Sequence, residues 1–431
     1  MAITDVAGFA HLRAVDLEAL AAELDTIRCD VEDSRGEGDR AYVGRVIAGQ
    51  RGLDVAARLL IALSRRRLGW LLGTAALAAA KSVENMELGH NIGHGQWDWM
   101  NDPEIHSVTW EWDMAAPSSQ WRYSHNYRHH VFTNVLGMDD DLGYGIMRVT
   151  PDQPWTPGAL LQPLRHLVLA LTFEWGIALQ GLDAARDRLA TPQERSAAIR
   201  VLLVKVARQA AKDYLLLPAL GARRWRRVLC ANAVANLARN IWAYLVINCG
   251  HFPDGAETFT PATLVGETKS QWYLRQLLGS ANFRAGPVLA LLSGHLCYQI
   301  EHHLYPDLPS NRYARIAPRV RALCTTYRLP YTTGSLSGQY LQSLRTIHAL
   351  ALPDRVRRDT HDDAPQRALE SAFEAGTGPV TGVGDGAGHR RRATLLVAPR
   401  GHGRRRTPRF DPDIRSRCAD TARTVRAGVL G

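Results

Sequence analysis

Residues 125–130 read His-Asn-Tyr-Arg-His-His, and this stretch decides how the rest of the chain is read. His125 and His129 are four apart, so a helix puts them on one face, with His130 beside them. A second cluster lies upstream, His90-Asn-Ile-Gly-His94, again with its histidines four apart. A third lies far downstream, Gln299-Ile-Glu-His302-His303. Each cluster aims several imidazoles at one spot. Of 16 histidines in the chain, six fall between His90 and His130.

Neutral imidazole is a ligand for Fe, Zn and Cu. Three or four ligands satisfy one zinc. The three clusters supply seven histidines, which suits two metal ions better than one. The Glu and Glu-x-x-His pattern of carboxylate di-iron bundles is missing near the clusters. His-Glu-x-x-His is absent as well, which argues against a zincin protease. A lone His-x3-His pair would carry little information; the joint occurrence of the three clusters does. The isolated His11, His166, His348, His361, His389 and His402 read as solvated or packing residues, and His106 as support behind the metal ligands.

Hydropathy alone leaves the setting open. Leu59–Ala80 is broken by Arg65, Arg66 and Arg67. Leu160–Leu182 contains Arg165, His166 and Glu174, and Val228–Cys249 contains Arg239. A helix needs roughly 20 apolar residues to span a bilayer. These runs are compatible with a soluble all-helical protein or with about four crossings in two hairpins. Strand signals are few.

Nearly half of the 431 residues, 46%, are apolar, enough for a large core. The formal charge of +10 is uneven: residues 365–431 hold 13 arginines against 6 acids, so the first 364 residues carry little net charge. Nucleic acid is therefore not the expected partner. The six cysteines form no Cys-x-x-Cys pair, so neither a disulfide framework nor a thiolate zinc site is expected. The N-terminus shows no secretory signal, and there is no internal repeat. The expected layout is a polar N-terminal arm over 1–45, one domain over 46–364, and a disordered Arg/Gly-rich tail over 365–431.

The strings ENMELGHNIGHGQWDWMNDPEIHS, YSHNYRHHVFTNVLGMDDDLGY, CGHFPDG, ETKSQWYLRQLLGSANF and YQIEHHLYPDLPSNRY carry a resemblance. From about Gly36 to Ala364 the chain resembles the membrane fatty-acid desaturases of histidine-box di-iron type, and within them the actinobacterial acyl-CoA desaturases. The resemblance implies an all-α integral-membrane bundle under a cytosolic helical cap that holds a histidine-rich di-iron site. The implied iron ligands are His90, His94, His125, His129, His130, His302 and His303, with His251 in CGHFPDG as a further one. Gln299 stands where many relatives carry a histidine. His295, where relatives carry Asn, and Asn248 are expected behind the ligands or as extra metal contacts. Asp98, Asp102, Asp139, Asp140, Asp141 and Glu301 are candidate groups for orienting the imidazoles. Trp97, Trp99, Trp110, Trp112 and Tyr127 are candidates to line an apolar acyl channel.

The implied activity is O2-dependent insertion of a cis double bond into a long-chain acyl-CoA or acyl lipid, using two Fe2+ ions. A hydroxylase or ketolase on the same scaffold is the alternative. A lipid-binding protein without catalysis and a single-zinc hydrolase are more distant ones. Gln299 in the third box hints at front-end chemistry, but relatives that carry it also desaturate mid-chain, and the usual substrate of the resembled family suggests mid-chain chemistry on a 16- or 18-carbon acyl-CoA. The sequence contains no HPGG loop of a cytochrome b5-type domain, so electrons from NAD(P)H are expected to arrive through a separate reductase or ferredoxin-type donor. The expected location is multi-pass in a bacterial plasma membrane, among membrane lipids, with the active site facing the cytoplasm. Two crossings between the second and third boxes would return the chain to one side. The positive-inside rule disagrees, because Arg65–Arg67 and Arg223–Arg227 lie at the helix ends away from the boxes. A chain ending at Ala364 is expected to keep full activity; a well-folded truncation without activity would refute this.

Overall fold

The structure is a computed structural model that describes residues 9, 11–185 and 191–354. The chain divides into a unit Met1–Phe373 and a second unit, Glu374–Gly431, that lies outside the described residues. The reading of 365–431 as a disordered tail also falls outside them.

Local sequence sets the first helices. In α1 (Ala14–Asp33), Leu17, Leu20, Leu24, Ile27 and Val31 recur at helical spacing and are all buried. α2 (Glu37–Leu63) opens on Glu37 and Asp39, acids that complement the positive helix N-terminus. Ser64–Arg66 make a tight turn into α3 (Arg67–Val83). α2 and α3 form an antiparallel hairpin so close that a Cβ on Gly73 would lie 2.8 Å from Ile61. α4 (Gln162–Leu171) and α5 (Phe173–Ala185) meet at Thr172. α6 (Pro192–Ala211) starts with a Thr191–Glu194 capping box and Pro192 in its first turn. The long α7 (Trp225–His251), α8 (Lys269–Leu278), the short α9 (Gln299–Leu304), α10 (Tyr313–Thr326) and α11 (Leu336–Ala349) complete the longer elements.

The sheet component among the described residues is small. β1 (Asn282–Arg284) pairs in parallel with β2 (Thr333–Ser335), in the register Asn282↔Thr333. Asn282 also accepts the Ile300 N–H at 2.8 Å, which ties the strand to α9. Two large apolar cores are built among the described residues. One gathers Trp112, Trp121, Phe173, Tyr244 and Cys249. The other packs Leu20 and Leu24 of α1 against Leu274, Ile300, Leu304, Tyr305 and Tyr313.

The all-helical character agrees with expectation, but the membrane bundle of about four crossings does not. Among the described residues no helix is long and apolar enough to cross a membrane. The reasons are local. Leu59–Ala80 is divided by the Ser64–Arg66 turn, and Leu160–Leu182 by the break at Thr172. Val228–Cys249 does lie in one 27-residue helix, but Asn232, Asn236, Arg239, Asn240 and Asn248 are buried along it and need polar partners. The histidine clusters converge through helix packing.

Gly294 has φ +63°, and a Cβ there would lie 2.2 Å from the Met86 carbonyl oxygen. We expect Gly294→Ala to destabilise the protein by more than about 3 kcal/mol, from left-handed strain plus a backbone clash. Gly49→Ala, on α2 with nothing within 4 Å, is the control and should be neutral or slightly stabilising. Chemical denaturation of both variants checks this.

Candidate metal centre

Two clusters rest on helices that widen locally. α3 runs directly into a π-helical turn, Glu84–His90, and then a short helix, Asn91–Gly93. Ser118–Arg122 runs likewise into a π-helical turn, Tyr123–His129. A π turn changes the direction of successive side chains relative to an α-helix, and such turns occur frequently at functional sites. The third cluster lies on α9, whose six residues are all buried.

The histidines of the three clusters meet with His251, the last residue of α7. The potential ligand atoms of His90, His94, His125 and His302 all lie within 4.8 Å of one another. So do those of His129, His251 and His303, and those of His125, His129 and His130, which link the first two groups. Nε2 of His90 is 3.3 Å from Nε2 of His94, and Nε2 of His251 is 3.2 Å from Nε2 of His303.

The outer nitrogens are held by protein groups. Nδ1 of His125 binds Asp141 at 2.8 Å, and Nδ1 of His129 binds Asp139 at 2.9 Å. Asp139 is itself fixed by the backbone N–H groups of Asn134 and Asp141. Nδ1 of His90 donates to Asn91 Oδ1 at 3.0 Å, and Nδ1 of His303 to Gln276 Oε1 at 3.1 Å. Nδ1 of His302 faces the Tyr313 hydroxyl at 3.3 Å, which in turn donates to the Tyr305 carbonyl. These contacts assign the outer proton to Nδ1 and leave the Nε2 lone pair pointing inward. Asn91 is oriented by Glu87, whose Oε2 accepts from its side-chain amide at 3.2 Å. The same carboxylate accepts from Tyr42, Ser310 and His295.

The inner nitrogens lack such partners. Nε2 of His125, His129, His130 and His302 is buried with no hydrogen bond. Burial, together with the charge of His125, pushes the His90 pKa down to about 3. Burial and then neighbouring histidines also lower His94, His130, His302 and His303, so all five are neutral near pH 7. For His129, burial works downward but Asp139 and Asp141 outweigh it and raise the pKa. Unpartnered, inward-facing Nε2 atoms in two overlapping groups fit a pair of borderline transition metals, each with several nitrogen ligands. A buried orphan nitrogen is costly unless a cation or donor meets it.

Other sequence candidates occupy varied places. Gln299 Nε2 lies 2.9 Å from His251 Nε2, and its Oε1 has no partner. Asn248 donates to the Tyr244 carbonyl, and its buried Oδ1 is unpartnered. His295 bonds Glu87 and belongs to none of the three groups. Asp139 and Asp141 reach ligand candidates, whereas Asp140 pairs with Arg128, Asp98 holds Ser107, Asp102 holds the Glu104 N–H, and Glu301 meets Asn282 and Tyr331. Trp97, Trp99 and Trp110 pack in a separate core with Leu88 and Ile92, and Tyr127 stacks on Tyr123.

Sequence reading missed Asn91, Gln276, Tyr313 and Trp121. Trp121 stacks on His125 with centroids 4.6 Å apart, and Trp112 lies 4.9 Å beyond it. Glycines make the room: a Cβ on Gly93 would lie 2.5 Å from Trp121, and one on Gly89 2.9 Å from Trp112. The GHNIGH spacing was the available signal. Gln276 and Tyr313 carried none, because folding alone brings them near.

A buried centre of eight imidazoles in a helical protein defines the class, and comparison agrees: this chain belongs to the fatty acid desaturase family, whose model matches residues 67–335. It is therefore a fatty-acyl desaturase, an oxidoreductase. It is 54% identical over 420 residues to the "NADPH-dependent stearoyl-CoA 9-desaturase" of Mycobacterium tuberculosis, covering 96% of this chain and 98% of that protein. The resemblance to actinobacterial acyl-CoA desaturases read from the motifs thus stands. More distantly, it is 26% identical over 272 residues to the "sn-1 linoleoyl-lipid 6-desaturase" of Synechocystis, covering 61% of this chain and 74% of that protein.

We expect Asp139→Asn to weaken Co2+ binding by roughly 10- to 100-fold, because His129 loses the carboxylate that orients it. Asp98→Asn should leave binding unchanged. A metal titration followed by absorbance checks both, and unchanged binding by Asp139→Asn would remove its orienting role.

Proposed function

We propose that His90, His94, His125, His129, His130, His251, His302 and His303 hold two irons, and that the enzyme desaturates the middle of a long-chain acyl-CoA. Electrons would come from NADPH through a separate donor protein. The observation that carries the metal reading is the set of buried Nε2 atoms without partners, in groups that share His125 and His129. Support for the substrate and the reductant comes from the name of the mycobacterial relative.

Unactivated methylene C–H bonds are beyond acid–base side chains, and iron with O2 would supply the oxidising power. The chain's own residues have defined tasks. Asp139, Asp141, Asn91, Gln276 and Tyr313 keep the outer protons on Nδ1, so that Nε2 faces inward. Burial keeps the other imidazoles neutral and excludes water from an oxidising site. Trp121 walls the group of His90, His94 and His125 with a flat apolar face. Gln299, with its free Oε1 beside His251, would add a contact to the second group.

The test is the fatty-acid profile of a host expressing this chain with a competent reductase, beside a His129→Ala control, with double bonds located by mass spectrometry. A new mid-chain monounsaturated acid, absent in the control, is expected. A hydroxy acid in its place would move the enzyme to the hydroxylase reading. No new product from iron-loaded protein would exclude the proposed substrate.

A further inference from the structure

His166 and His348, which lie outside the motif clusters, come together with two tyrosines between the surface and the metal centre. His166, on α4, is buried. Its Nδ1 meets the Tyr244 hydroxyl of α7 at 2.8 Å, and its Nε2 meets the Tyr340 hydroxyl of α11 at 3.3 Å. Tyr340 is half-buried, and His348, also on α11, is exposed, its ring centroid 5.8 Å from that of His166. One ring nitrogen of His166 is therefore bonded on the side of the surface and the other on the side of the interior.

Tyr244 is fully buried and precedes His251 by seven residues on the same helix. Residues 244, 248 and 251 share one helix face. Asn248 donates its amide to the Tyr244 carbonyl at 2.8 Å, and its buried Oδ1 has no partner. Tyr144 packs beside Tyr244 with ring centroids 6.2 Å apart, and its buried hydroxyl has no partner either. Buried polar atoms left over in this way are the usual anchors of internal water. A polar line thus runs from α11 through His166 and Tyr244 to two unpartnered groups, of which Asn248 is less than one turn from His251.

The reaction gives such a line a task. Reducing O2 to two waters takes four electrons and four protons. The two broken C–H bonds supply two of each, the donor protein supplies two electrons, and two protons must enter from solvent. The outer nitrogens of the centre cannot admit them. Nδ1 of His90, His125 and His129 is tied to Asn91, Asp141 and Asp139, and moving those protons would turn the Nε2 lone pairs away from the metals.

We propose that His166 and Tyr244 form the proton-entry line of this enzyme, a role that rests on the O2-dependent desaturase reading. Nε2 of His166 takes a proton from the Tyr340 side as Nδ1 releases one to the Tyr244 oxygen. Tyr244 releases its own proton inward, to water held by Asn248 and Tyr144, and the first His166 tautomer is restored before the next passage. Burial, and then His348, lower the His166 pKa to about 4, so near pH 7 the ring holds one proton and keeps a lone pair to take the next. Burial raises the Tyr244 pKa, so its hydroxyl gives up one proton only as it takes another.

The test compares Tyr244→Phe, which removes only the hydroxyl, with His166→Ala, which removes the ring. In iron-loaded full chain supplied with acyl-CoA, reductase and O2, both should form product roughly 10- to 100-fold more slowly than wild type, with a larger solvent deuterium isotope effect. Metal content and thermal unfolding should be unchanged in Tyr244→Phe. Added imidazole should restore rate to His166→Ala and none to Tyr244→Phe. The bond itself is read apart from turnover, by 15N-histidine NMR of the full chain loaded with diamagnetic Zn2+. The Nδ1 resonance of His166, assigned by its loss in His166→Ala, should move in Tyr244→Phe. A resonance that stays in place overturns the proposal, as does an unchanged rate in Tyr244→Phe. So does a slower Tyr244→Phe with an unchanged isotope effect and no imidazole rescue of His166→Ala, which would leave the two residues a packing role. A wild-type chain that forms no unsaturated product would count against the substrate proposed above, and the NMR result would then decide the line by itself.

Discussion

Eight imidazoles brought together away from water impose the main constraint on this fold. A buried polar nitrogen costs free energy unless it is bonded, and here each ring has two. The protein satisfies most of the outer nitrogens itself, with Asp139, Asp141, Asn91, Gln276 and Tyr313. The inner ones are left facing each other, with two Nε2 pairs at 3.2–3.3 Å. Such an arrangement is costly unless a cation or a hydrogen-bond donor meets the nitrogens. The metal-binding reading follows from that physical deficit as much as from the motifs.

Much of the surrounding structure can be understood as keeping those rings in place. The third cluster sits on a six-residue helix that would not persist alone. It persists because Ile300 and Leu304 pack into an apolar core and Asn282 fixes its backbone. Glu87 joins Tyr42 of α2, Asn91, His295 and Ser310, so one buried carboxylate links four separate segments behind His90. Gly89 and Gly93 let two indoles lie directly against the first cluster. These contacts hold the rings in fixed positions, as a preorganised site requires.

The two ends of α7 lie in different chemistry. One holds neutral imidazoles packed among carboxylates and aromatics. The other presents arginines and leucines to the outside. α7 connects them, and its buried asparagines and Arg239 mark it as the interior of a polar-lined bundle. Arg239 reaches Glu174 at 2.6 Å, and Lys81 sits between Asp113 and Asp213. Buried ion pairs of this kind contribute less to stability than to fixing which helices are neighbours.

The sequence by itself determined the chemistry. Three clusters of histidine at helical spacing, with a specific set of flanking strings, were enough to identify the family and to nominate the rings that gather. It also pointed to a helical chain, because strand signals are sparse and the histidines of the first two clusters stand four apart. It did not determine how the helices are set. Hydropathy suggested crossings, but the runs are divided at Ser64–Arg66 and Thr172 or carry buried asparagines, which composition averages over. It did not show the π turns that re-aim the first two clusters, because hydrogen-bond register leaves no fixed mark in residue type. Only tertiary structure brought Gln276, Tyr313 and Tyr244 to their histidines. Those contacts depend on packing between segments far apart in the chain, and spacing along a chain reports only on neighbours within one element.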